Sequence, residues 1–147
     1  MVFLPDTSCM VAAMCTWHAQ HKPVAAELER RLARGEAMVI AAVTLVESYA
    51  VLTRLPPPHR IAPSDALALI AANFMNGAQT VALGPDAYHA LLRQAPSKGV
   101  AGGRSYDAVI AACASQAQAV ALLTLNGRHF EPFATREMAV VVPQEPA

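Results

Sequence analysis

Excess charge of either sign is missing from this chain. Across 147 residues, 11 basic side chains face 11 acidic ones, for a formal net charge of zero. Domains that grip polyanions without discrimination are usually basic, so that class is disfavoured, although a local basic rim around an acidic centre is still allowed. Cysteine is scarce and odd in number. Cys9, Cys15 and Cys113 show no Cys-x-x-Cys or Cys/His spacing, which argues against a zinc site and for buried free thiols in a reducing cytoplasm. No apolar run reaches the roughly eighteen residues that a membrane span needs. Glu47 breaks one candidate, and Ser115, Gln116 and Gln118 break the other. A basic n-region is lacking and Asp6 arrives after a short apolar run, so a signal peptide is not expected. Gly99, Gly102 and Gly103 have neither P-loop nor dinucleotide-binding spacing. Ser8 and Ser105 lack the His/Asp partners of a hydrolase triad.

Apolar residues are abundant, at 54% with a mean hydropathy of +0.32. That suits one core buried on both faces of a sheet. The length fits a single domain, expected over residues 1–143, with a loose tail at 144–147. Short apolar stretches at 2–4, 38–40, 80–83, 120–124 and 137–142 read as strands. Helices are expected between them, over about 6–15, 23–33, 44–55, 64–74, 85–94 and 105–118. Glu27 and Arg31 are spaced for an i,i+4 pair, and Arg30, Arg31 and Arg34 read first as a solvated face and second as an RNA contact. Pro56-Pro57-Pro58 is a rigid connector, and Asn126-Gly127 is a turn signal. Strands alternating with helices imply an α/β fold with a central parallel sheet covered on both faces. Sites in such sheets gather at the carboxyl ends of the strands.

Three acids stand at that rim in apolar surroundings: Asp6, Glu47 and Asp107. Each has a structural reading. Asp6 suits a helix N-cap. Thr44-x-x-Glu47 has the form of a capping box. Asp107 gains from a helix N-terminus, yet it shares a helical face with Ile110, Ala111 and Ala114, which looks buried. Should the fold bring the three together, their mutual repulsion calls for a cation, and a hard divalent ion suits oxygen ligands. His18 and His21 read as loop or helix-end surface residues without a third metal ligand, whereas His129 lies nearer the rim.

Four segments in series carry a family resemblance: Asp6-Thr-Ser, Thr44-Leu-Val-Glu47-Ser-Tyr, Tyr106-Asp107-Ala-Val-Ile-Ala-Ala, and Leu123-Thr124-Leu-Asn126-Gly-Arg-His129-Phe130. In this order and approximate spacing the chain resembles PIN-domain ribonucleases, in particular the VapC-type toxins of bacterial toxin–antitoxin pairs. The resemblance implies a three-layer α/β/α PIN-like fold. It also implies a cytoplasmic endoribonuclease working with Mg²⁺ or Mn²⁺ held by Asp6, Glu47 and Asp107, leaving a 5′-phosphate and a 3′-hydroxyl. Thr124 is expected to place a water or phosphate. Where the family often has a fourth carboxylate, this chain offers Asn126 or His129, which leaves one metal or two open and suggests an alternative, a degenerate domain that binds RNA or an antitoxin without cutting. Lys98, Arg104 and Arg128 are expected to receive the RNA backbone, the RNA being structured with single-stranded loops. Partners implied are a VapB-type antitoxin and a second copy of the chain. A receiver-like phosphoacceptor domain is a third reading, disfavoured because no acceptor Asp with a later Lys appears.

Overall fold

Phe3 and Leu4 are consecutive on one strand, so their side chains leave opposite faces of the sheet. Both are completely buried, and each belongs to a different apolar cluster. The sheet is therefore covered twice. In the computed structural model, which describes residues 1–145, the strands are β1 (Val2–Pro5), β2 (Ala37–Ala41), β3 (Gln79–Val81), β4 (Ala121–Leu123) and β5 (Ala139–Val141). They form one parallel sheet in the order β3-β2-β1-β4-β5. Among the described residues, seven α-helices accompany the sheet: α1 (Thr7–Met14), α2 (His21–Ala33), α3 (Ala42–Arg54), α4 (Pro63–Ile70), α5 (Pro85–Gln94), α6 (Arg104–Gln116) and α7 (Gly127–Phe130), with a short 3-10 turn at Glu131–Phe133. Phe3, Ile40 and Leu123 meet Met10, Val24, Leu52 and Phe74 on one side. Leu4, Val39 and Leu122 meet Val109, Ile110, Cys113 and Phe130 on the other. This is the expected three-layer α/β/α arrangement.

The strand order places a crevice. From β1 the chain moves outward to β2 and β3, then crosses to the far side of β1 to form β4. Such a reversal opens a crevice beyond the carboxyl ends of β1 and β4. Pro5 sits at that point. It lacks an N–H, a liability inside a sheet. Its pairing with β2 has already ended, since the register there runs only through Val2 and Phe3. Pairing with β4 continues through Pro5 opposite Leu123, and the Asp6 amide donates to the Leu123 carbonyl at 2.8 Å. A proline is thus accommodated in a central strand by standing on its last residue.

Several sequence expectations shift. α3 begins at Ala42 because β2 runs straight into it, with Ala41 as N-cap. Thr44 is consequently the third helical residue. Its buried hydroxyl donates to the Ala41 carbonyl at 2.7 Å, and the capping box with Glu47 does not form. α2 begins at His21, with Pro23 in its first turn, where its missing N–H costs nothing. The helix expected to end near Phe74 does so by a π-type turn, Ala71–Met75. The arginine cluster is only partly solvated. Arg31 keeps 12% of its side chain exposed, donates to Glu27 and Glu36 at 2.9 Å each, and lies over the Phe3 ring. With Arg34 it lines a hollow beside Met1, Glu36 and Val120, at the amino ends of the strands. That is the end of the sheet opposite the crevice. The expected tail at 144–147 extends at residues 146 and 147 outside the described residues. Among the described residues no helix is long and apolar enough to cross a membrane.

Asn126-Gly127 opens α7 rather than a simple turn. A Cβ added at Gly127 would stand 2.9 Å from Val142 Cγ2. Valine is stiff at χ1, but Val142 is partly exposed, so it has room to yield. Gly127→Ala is expected to lower unfolding stability by about 1 kcal/mol. Adding Val142→Ala should recover most of that loss, as urea denaturation would measure.

Candidate active site

Asp6 is the most heavily constrained acid. It follows β1, caps α1, and is 97% removed from solvent at 3% exposure. Its Oδ1 accepts from Ser8 Oγ at 2.6 Å and from the Cys9 amide at 3.0 Å, and its Oδ2 accepts from Thr124 Oγ1 at 2.6 Å. A carboxylate has about four acceptor positions, so one is left. Burial raises the Asp6 pKa; the hydrogen bonds from Ser8, Thr124 and Cys9 oppose this, and the charge of Asp107 adds to it. The N-cap reading and the site reading of Asp6 are thus compatible.

The same hydroxyls bind the two strand ends together. Ser8 Oγ accepts from the Leu125 amide at 2.9 Å, and Thr124 Oγ1 accepts from the Asn126 amide at 2.9 Å. Thr124 is completely buried. Its hydroxyl is occupied by Asp6 and Asn126, so it orients a carboxylate rather than placing a water or phosphate, as the sequence had suggested. Thr124→Val keeps the shape and removes both bonds. It is expected to destabilise the fold by about 1–3 kcal/mol, because a buried carboxylate oxygen loses its donor. Thr124→Ser should retain most of the stability in the same thermal or urea melts.

Glu47 lies in the second turn of α3, half-buried. Its Oε1 is shut off from solvent and has no hydrogen-bond partner among the described residues; Thr7 Oγ1 shares that condition. Burial raises the Glu47 pKa. The Thr7 hydroxyl moderates the rise without reaching hydrogen-bond geometry, and the charges of Asp107 and Asp6 increase it. Asp107 stands in the first turn of α6 with 22% of its side chain exposed, and His129 Nδ1 lies 3.8 Å from its Oδ2. Burial raises its pKa as well, against the pull of His129 and Arg104.

Asp6, Glu47, Asp107 and Asn126 line one open cavity of about 310 Å³, with Thr7, Ser8 and His18 and with apolar walls from Val11, Val51 and Ile110. Four elements remote in sequence supply it. Among the described residues no three His, Cys, Asp or Glu side chains are already gathered as a metal-ligand set. The donors nevertheless suit a hard cation, being all oxygen, with one acceptor position of Asp6 and the buried Oε1 of Glu47 unused. Lys98, Arg104 and His129 line an adjoining cavity of about 330 Å³ with Gly99, Val100, Pro132 and Phe133. Arg128 is exposed on α7 and lines neither cavity. The sequence assigned no site role to His18, Thr7 or the Ser8 bridge. Thr7 and Ser8 carried a visible cap signal, and the spacing of His18 from His21 marked His18, which was read as a surface residue but lines the cavity.

A parallel sheet with a crevice of this order, lined by carboxylates that follow β1, β2 and the start of α6, is the arrangement of a nuclease-type α/β domain. The PIN domain model matches residues 3–134, and the chain belongs to the PIN-domain family. Its relatives include Ribonuclease VapC40 of Mycobacterium tuberculosis, 40% identical over 129 residues, covering 88% of this chain and 90% of the relative. Ribonuclease VapC27 of the same species is 31% identical over 137 residues, 93% of each. Among solved structures, VapBC2 from Rickettsia felis bound to promoter DNA shares the fold with a TM-score of 0.70 at 17% identity, covering 98% of this chain and all of that one. VapC20 of Mycobacterium tuberculosis, a toxin that cleaves the sarcin–ricin loop, matches with a TM-score of 0.63 at 16% identity, over 83% of this chain and 87% of that one.

Proposed function

We propose that this chain is an endoribonuclease, the toxin of a type II toxin–antitoxin pair, and that it acts with Mg²⁺ or Mn²⁺ at the cavity formed by Asp6, Glu47 and Asp107. The observation that carries the reading is the unused Oε1 of Glu47, buried in a cavity that two further carboxylates share. A buried acceptor with no donor costs about 1–3 kcal/mol, and a cation there removes that cost. Relatives named as ribonucleases at 40% and 31% identity support the same activity.

Each side chain then has a task. Ser8, Cys9 and Thr124 fix Asp6 at the cavity wall with one acceptor position unused. Asp6, Glu47 and Asp107 together hold the cation, which when bound neutralises charge on a phosphoryl group and makes water a better nucleophile. Either Glu47 or Asp107 orients the attacking water and accepts its proton. Asn126 offers a neutral amide where a fourth carboxylate would add charge. Lys98 and Arg104, with His129, receive the backbone phosphate next door, and Arg128 meets the chain further out. With no net charge on the domain, long-range attraction is weak, so recognition rests on the shape of a structured RNA with exposed loops.

Three of the fold neighbours are VapBC structures, two of them bound to DNA, which makes a VapB-type antitoxin the expected partner, alongside a second copy of the chain. The cytoplasm is the corresponding compartment. The test is turnover of structured RNA by the purified protein in Mg²⁺ or Mn²⁺, abolished by chelator. One observation favours a second reading. The fourth position holds Asn126 rather than an acid, as a domain that binds without cutting would have. RNA binding with no turnover in millimolar Mn²⁺ would establish that alternative.

A further inference from the structure

We propose that Trp17 and His59 form a base-stacking subsite for single-stranded RNA at the edge of the acidic cavity. The proposal rests on the ribonuclease reading above and names the part of the substrate that this edge receives.

Trp17 lies between α1 and α2 and keeps 46% of its surface exposed. His59 follows the triple proline and stacks on it, ring centroids 3.9 Å apart and planes inclined by 20°. One face of the indole is therefore backed, while close to half of the residue's surface stays exposed. A single exposed aromatic residue is ordinary on a protein surface. What distinguishes this one is its position. The next residue, His18, lines the cavity together with Asp6, Glu47 and Asp107. The His18 ring lies 6.0 Å from the indole and is held by a hydrogen bond to Nδ1 from the Gln20 amide at 3.0 Å. Three rings, His59, Trp17 and His18, thus lead from the surface to the carboxylates.

The platform is also pre-arranged. The His59 amide donates to the Pro56 carbonyl at 3.0 Å, and Arg60 Nε donates to the Leu55 carbonyl at 2.9 Å. On the facing loop, the His18 amide donates to the Cys15 carbonyl, and His21 Nδ1 lies 2.8 Å from the Ala12 carbonyl. A ligand arriving there has little protein to order. Its chemistry follows from what lines each flank. Lys98 and Arg104 occupy the cavity beside Asp107, a place for phosphate. The Trp17 flank offers flat π faces instead. An unpaired nucleobase fits such a face whatever its identity, as aromatic platforms for single strands do. Bases paired within a duplex do not offer their faces.

Trp17 is the only tryptophan of the chain, so its fluorescence reports on this place alone. The full-length protein, in chelator to prevent turnover, is titrated with a short mixed-sequence single-stranded oligoribonucleotide and, separately, with the same sequence as a duplex. Saturable quenching by the single strand, absent with the duplex, is expected. Trp17→Leu should raise the Kd for a labelled copy of that oligonucleotide by about tenfold or more, and Trp17→Phe should keep most of the affinity. His59→Ala should weaken the quenching. If the protein cleaves RNA while the single strand leaves Trp17 fluorescence unchanged, the subsite is overturned and the nuclease reading stands. Quenching without turnover in Mn²⁺ supports the subsite and removes the nuclease reading. Quenching by a cognate antitoxin but not by RNA makes Trp17 a protein contact and overturns the proposal.

Discussion

Asp107→Asn is expected to abolish RNA cleavage while leaving the fold intact. The substitution removes one negative charge and little volume. Changes to the outer partners of metal ligands reduce affinity or activity by about 10–100-fold, so replacing a ligand itself should lower turnover by more than about 100-fold. The structural effect is small for two opposing reasons. An acid in the first turn of α6 contributes about 0.3–1 kcal/mol through the helix dipole. Against that, its burial is unfavourable and its charge raises the pKa of both Asp6 and Glu47. Circular dichroism and thermal melts should place the variant within a few degrees of the parent. Arg30→Ala, on α2 and at 51% side-chain exposure, serves as control, with cleavage unchanged. Full turnover in the Asp107→Asn protein would sink the assignment of the site.

The metal-free protein is expected to lose stability as pH rises, and Mn²⁺ is expected to restore it. Burial raises the folded-state pKa of Asp6, Glu47 and Asp107 above their ordinary values. A folded carboxyl with a raised pKa retains its proton where the unfolded chain has released it. The associated stability is therefore complete below the ordinary carboxylate range, about 4, and is lost as pH climbs through the folded values. At neutral pH a cation among the three acids reverses the loss. At a hundredfold excess over its Kd, the ion adds about 2.7 kcal/mol, or roughly 5–10 °C for a domain of this size. Glu47→Gln removes the charge on the half-buried side chain. It should raise the melting temperature of the metal-free protein at neutral pH, shrink the Mn²⁺ increment and suppress cleavage. Scanning calorimetry in chelator and in Mn²⁺, at acidic and neutral pH, checks all three. An equal Mn²⁺ increment in parent and Glu47→Gln proteins would place the ion elsewhere.

Local pattern made the order of elements legible, because short apolar strands and helical stretches alternate clearly enough to imply the parallel sheet. The start of α3 was less visible. A helix that continues directly from a strand has no polar cap to announce it, so Thr44 invited a capping box that Ala41 pre-empts. The pairing of Glu27 with Arg31 is local and could be read from spacing. The Glu36 contact and the position over Phe3 depend on how α2 lies on the sheet, so Arg31 looked more solvated than it is. At the site, the residue types and rim positions of Asp6, Glu47 and Asp107 suggested a shared location, and the strand order brings them to one cavity. Thr124 illustrates what spacing cannot reveal. Its partner is 118 residues away, and burial, which decides between holding an acid and touching a substrate, is a property of the assembled domain.

The bonds from Thr124 to Asp6 and from Leu125 to Ser8 join the first ten residues to the last quarter of the chain. During synthesis, β1 has no β4 to lie against until nearly all of the polypeptide has left the exit tunnel. A half-made copy accordingly lacks the Thr124 and Asn126 side of the cavity, and the centre is finished only when the final stretch emerges. Fragments released by premature termination before Thr124 should be harmless for the same reason, which ties the hazard of the protein to completion of its own message.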